Sequence, residues 1–313
     1  MMKRVLSCFL AVIALLYPSL ARSVENYIYT SAGDFDSVKE LLNRPDIVGA
    51  QVVYPWQMLE KSRGVYDFSS IERDLAYAQA LHKQLFVQIQ DRFFTPDAKH
   101  IPVYLQQDLI YGGGLIKQGD ASGATGWVAK QWNPSLRERY QALLRALADR
   151  FDGRIRGINL PETAIDVEDR KDHEDFTCDG YFQAELDNMR YARTVFKRSS
   201  VVQYVNFWPC EWDDSRHYMA RTFAFAVTHH IGLGGPDVLP YMPGQMHNAY
   251  PFFHSYKGRL VLTAMAVQEP DLNYRDPRTG RRVDRAGQSD FAVHYLGADI
   301  IFWATSAPWL QSR

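Results

Sequence analysis

Two glutamates in this chain have the type and setting to break a bond unaided. Glu162 follows an apolar, β-type run in Asn159-Leu160-Pro161-Glu162, and Glu269 follows another in Gln268-Glu269-Pro270. Carboxyl groups at the ends of two strands that face one another suit the hydrolysis of an acetal. One carboxylic acid protonates the departing oxygen, and the second carboxylate stabilises or attacks the oxocarbenium-like carbon. That chemistry needs no cofactor. Against it stands the usual fate of a glutamate, which is a surface ion pair or a place at a helix entry.

Positioning two such groups requires strands that end at a common mouth. Short β-rich runs occur at 27–30, 49–56, 85–89, 155–160, 201–207, 231–233, 260–267 and 300–303. Helical spacing separates them at 35–42, 69–82, 136–151, 181–196, 216–228, 247–256 and 290–296; Ile71, Leu75, Ala78 and Leu81 share one face of the second. Eight strands alternating with helices, without a linker, predict the α/β class and a single (β/α)8 TIM barrel. A doubly wound open sheet would carry a Gly-rich turn after its first strand, and none follows 27–30. Active sites of such barrels lie at the C-terminal strand ends. Strands four and seven face each other there, so Glu162 and Glu269 can point into one cleft. About forty residues, 92–134, separate the third strand from its helix, and loops that long usually carry function or small elements of their own.

Trp56-Gln57-Met58-Leu59-Glu60, followed by Gly64-Val65-Tyr66-Asp67-Phe68-Ser69, resembles the segment after strand two in clan A glycoside hydrolases, such as the barrel β-galactosidases and xylanases. Trp132-Asn133-Pro134 is similar to the entry of their third helix. The resemblance covers most of the chain in layout but only short stretches in motif. It implies a retaining enzyme with Glu162 as general acid/base and Glu269 as nucleophile. It further implies that Trp303 lies under the scissile sugar and that Tyr241 touches the nucleophile. One departure stands out. The clan has Asn directly before its acid/base, whereas Leu160 and Pro161 separate Asn159 from Glu162. Asn159 as the grip on a sugar hydroxyl, and Glu168 or Glu174 as alternative acids, therefore stay open.

Further groups at strand ends could complete a sugar site. All seven tryptophans fall at strand ends or in the loops after them, where aromatic planes can stack on sugar rings. Trp56, Trp208 and Trp303 are the expected platforms, with Gln90 and Asn206 as polar contacts and Gln88 and Asp237 beside them. Glu211 is a spare carboxylate, the adjacent His229 and His230 read as structural, and the basic stretch 278–285 reads as a solvated loop. Two rival functions remain. One is a non-catalytic carbohydrate-binding barrel, and the other is a metal-dependent hydrolase using His229, His230, His247 and Asp237.

Composition narrows the partners. Lys3 and Arg4, an apolar run over 5–17 and Ser19-Leu20-Ala21 form the pattern of a cleaved secretion signal, 1–21. That leaves 22–313 as one catalytic barrel, secreted or periplasmic, with no later run apolar enough to insert in a membrane. Loss of the signal takes the formal charge from -1 to about -3, which does not suit nucleic acid. The expected partner is an oligosaccharide or polysaccharide. Cys178 and Cys210 are left as a disulfide or as two buried thiols. No Cys or His cluster has metal-ligand spacing, so no structural metal site is expected.

Overall fold

The computed structural model describes residues 23–119, 125–167 and 175–311. The signal reading of 1–21 and the alternative acids Glu168 and Glu174 lie outside the described residues. Eight parallel strands close on themselves: β1 (Glu25–Ser31), β2 (Gly49–Pro55), β3 (Gln84–Gln90), β4 (Gly157–Leu160), β5 (Ser200–Tyr204), β6 (Gly232–Gly235), β7 (Thr263–Val267) and β8 (Ile300–Ala304). Each pairs with the next, and β8 pairs back onto β1. This is the expected (β/α)8 barrel.

Alternation along each strand sorts side chains into two cores. Tyr27, Phe86, Val202, Tyr204, Ala264, Ala266, Ile300 and Phe302 fill the inside of the barrel. Their neighbours Ile28, Val87, Ile158, Met265, Val267, Ile301 and Trp303 join the core shared with the helices. Parity therefore carries inward-facing positions up to the mouth at 29, 88, 90, 206 and 268.

The helices follow the sequence pattern with shifted ends. The helix Pro134–Phe151 starts where the Asn133 side chain accepts from the Leu136 amide at 3.0 Å, and Leu136, Tyr140, Leu143, Leu144 and Leu147 are its buried face. The single helix expected at 247–256 is instead two short ones, Pro243–His247 and Ala249–Ser255. The strand expected from 260 begins only at Thr263, because Val261 is exposed.

Two devices pin the loops above the barrel. Glu60, fully buried, accepts from Trp56 Nε1 and the Gly64 amide at 2.9 Å each, from the Tyr104 hydroxyl at 2.9 Å and from Arg139 at 2.7 Å. The Trp-Glu-Gly-Tyr pattern after β2 is thus a fastening for the loop. The long connection after β3 carries its own three-stranded antiparallel sheet (Arg92–Phe93, Leu115–Gly119 and Thr125–Ala129) and a short helix, Val103–Gln107. Cys178 and Cys210 form a disulfide between the helix after β4 and the loop after β5. Among the described residues, no helix is long and apolar enough to cross a membrane.

Candidate active site

A polar cavity of about 200 Å³ opens at the C-terminal ends of the strands. Its floor and walls include Tyr29, Gln88, Gln90, Tyr204, Asn206 and Gln268, the residues that strand parity turns inward. Arg92, Phe94, Glu162 and Asp237 come from the loops above.

Glu162 owes its place to a buried polar scaffold. The guanidinium of Arg92 donates to the Glu162 backbone carbonyl and, at 2.9 Å, to the Tyr181 hydroxyl. Arg92 is held in turn by Asp91 at 2.9 Å and Glu185 at 3.1 Å, all three side chains being buried. Gln131 donates to Asp91 at 2.7 Å, and Tyr181 donates to the Thr163 carbonyl at 3.0 Å. On the other side, the Thr163 amide donates to the Tyr204 carbonyl at 3.0 Å. A buried charge cluster of this kind costs desolvation, and its members persist because each is paired.

The carboxyl of Glu162 is pushed up to about 7, first by burial and then by the negative charge of Asp237; Arg92 and a hydrogen bond from Asn206 pull the other way. Asn206 Nδ2 donates to Glu162 Oε2 at 3.4 Å. Burial also raises Asp237, against a hydrogen bond from Gln245. Asp271, 1% exposed, accepts from the amides of Val238 at 3.1 Å and Gln268 at 3.2 Å, and so fixes the backbone beside Asp237 and at Gln268 together. Burial, followed by the charge of Asp237, raises Asp271 as well. Tyr29 rises to about 12 through burial, then the charges of Glu269 and Glu162.

The sequence-expected residues divide into two groups. Glu162, Gln90 and Asn206 line the cavity. Glu269 is exposed at the rim, with Ser306 Oγ 3.5 Å from its Oε1, and Gln268, just after β7, is the residue there that lines the cavity. Ala264 and Ala266 point inward and the alternation carries on to Gln268 in the cavity lining; β7 itself ends at Val267, and Glu269 begins a helical turn (φ -53°, ψ -44°) on the exposed rim. Asn159 is fully buried inside the barrel beneath the cavity lining, and neither of its amide atoms has a hydrogen-bond partner.

The aromatic expectations need correction. Trp303 alternates with the inward Phe302, so it faces the helices. There it donates to Asn26 at 2.8 Å, meets Trp309 edge-on and borders a separate apolar cleft of about 390 Å³ with Leu272 and Val283. Trp56 is fully buried against Tyr140, with its indole N–H on Glu60. Trp208 is buried among Tyr181, Phe182 and Tyr218. Tyr241 packs on Phe291 beneath Arg278 and is not part of the cavity lining. The largest apolar side chains anchor loops to the barrel, where burying them yields most. Tyr29, Tyr204 and Phe94 are the aromatic rings at the cavity instead.

Strand parity was the signal that could have found Tyr29 and Gln268. Arg92 and Phe94 follow β3 in the long loop and carry no such signal. The metal-dependent reading also fails on geometry. His229 and His230 precede β6 and Asp237 follows it, so the strand holds them at opposite ends of the barrel. Among the described residues, no three His, Cys, Asp or Glu side chains gather as a metal site.

No protein-family model matches the chain, and no curated protein matches its sequence. Solved structures do match in fold. A β-galactosidase from the Antarctic haloarchaeon Halorubrum lacusprofundi is 10% identical with a TM-score of 0.56, over 90% of this chain and 52% of the other. A xylanase A variant from P. fluorescens subsp. cellulosa, in complex with xylopentaose, is 14% identical with a TM-score of 0.52, over 93% and 90%. Endo-glycoceramidase II from Rhodococcus sp. is 12% identical with a TM-score of 0.52, over 90% and 73%. At these identities the likeness is one of fold.

Proposed function

We propose that the protein is a glycoside hydrolase in which Glu162 protonates the departing glycosidic oxygen. One observation carries this reading: a carboxyl held protonated up to about pH 7 sits in a polar cavity at the strand ends of a closed barrel. A general acid working near neutrality needs such a raised value. The glycosidases that share the fold support the reading by analogy only, since one barrel hosts many reactions. Retention of configuration is part of the proposal, as is an extracellular or cell-envelope glycan as substrate. The export signal read in 1–21 supports the latter.

The amide-rich walls, Gln88, Gln90, Asn206 and Gln268, offer both donors and acceptors to sugar hydroxyls. Phe94, more than half exposed at the rim, offers a face for a sugar ring. The test is hydrolysis of a panel of 4-nitrophenyl glycosides and plant or bacterial cell-wall polysaccharides by the native enzyme and by Glu162→Gln. Turnover by the native protein and its loss in the variant are expected. Oligosaccharide binding without turnover by either protein would sink the enzyme reading and leave a binding barrel.

A further inference from the structure

We infer that Asp237, and not Glu269, is the second carboxylate of the reaction, acting as the nucleophile opposite Glu162. The inference rests on the glycosidase reading above and names a residue within that same site. Two observations carry it. Asp237 and Glu162 line one cavity of about 200 Å³, and Glu269 is not in that lining. Gln268, an amide that cannot attack, is the residue just after β7 that lines the cavity, while Glu269 follows it in a helical turn at the exposed rim. The charge of Asp237 also acts on the Glu162 carboxyl, as expected of two side chains that line one cavity.

The backbone at Asp237 is also held in place. Its backbone carbonyl accepts from the Tyr250 hydroxyl at 3.2 Å, and the next amide along the chain, that of Val238, donates to the buried Asp271. Asp271 is a positioning residue, since it fixes this turn and Gln268 at once. In the first step an Asp237 oxygen forms an ester bond to the anomeric carbon as the bond to the aglycone breaks. The electron pair leaves on the glycosidic oxygen, which takes the Glu162 proton. Water then attacks the same carbon, gives its proton to the Glu162 carboxylate and releases Asp237 as the ester bond breaks. Atoms and charges balance over the cycle.

The direct test uses the native protein with 2,4-dinitrophenyl 2-deoxy-2-fluoro glycosides of glucose, galactose and xylose, followed by peptide mass spectrometry. A fluoroglycosyl adduct on Asp237 is the expected result. An adduct on Glu269, or turnover with inverted product and no adduct, overturns the assignment. In parallel, Asp237→Gly should lose at least about 10³-fold in kcat with aryl glycosides and regain turnover in sodium azide, yielding a glycosyl azide. Glu269→Gln should stay within about five-fold of native. The reverse pattern returns the role to Glu269 without harming the glycosidase reading. A native protein that hydrolyses no glycoside removes both that reading and this assignment.

Discussion

At the scale of single residues, the activity turns on where protons reside. Glu162 has its carboxyl raised, so it is the protonated acid below about pH 7 and is lost as an acid above it. The kcat/KM of the native enzyme should therefore fall as pH rises through about 7. In Glu162→Gln that limb should vanish, with activity on poor leaving groups down about 10²–10⁴-fold and activity on dinitrophenyl glycosides affected less. A pH profile of both proteins on the two substrate types checks this. An alkaline limb that survives in the variant would assign the titration to another group. Arg92 lowers the Glu162 value by its charge and grips its backbone, so the acid's strength and its placement depend on one buried guanidinium.

At the scale of elements, the loops above the strands matter more than the strands. Glu60 gathers four donors from the loops after β2 and β3 and the following helix, and removing it strands the Arg139 charge. Glu60→Ala should cost about 3 kcal/mol, because breaking a buried pair on one side leaves the other charge uncompensated. Urea unfolding followed by tryptophan fluorescence would measure it, and a loss below about 1 kcal/mol would deny the loop fastening. The disulfide closes a span of 32 residues around the β4 and β5 strand ends. By loop-closure entropy it contributes about 3–4 kcal/mol, so Cys210→Ser should lower Tm by roughly 5 °C. An unchanged melting curve under reducing conditions would contradict this.

At the scale of the whole molecule, closure of the barrel is the demanding step. β6 reads as a weak strand because its four residues are Gly232, Leu233, Gly234 and Gly235. The glycines have a reason: a Cβ on Gly234 would stand 1.8 Å from the backbone oxygen of Ala264 on β7. Gly234→Ala should therefore cost at least about 2 kcal/mol through overpacking, seen in the same urea experiment, while a variant as stable as the native protein would mean that the sheet can spread there. Much of this architecture is legible before any coordinates. The alternation of eight β-rich runs with amphipathic helices, and the placing of Glu162 after the fourth, follow from local periodicity, which is a property of short stretches of chain. The pairing of Cys178 with Cys210, the loop anchoring by Trp56, Trp208 and Trp303, and the gathering of Arg92, Asp237 and Gln268 around Glu162 depend on distant segments meeting. That Gln268 lines the cavity while Glu269 begins a helical turn at the exposed rim depends on the phase of β7 among its neighbours and on where that strand ends. A shift of one residue reverses every side chain, and hydrogen bonding across the closed sheet sets that phase.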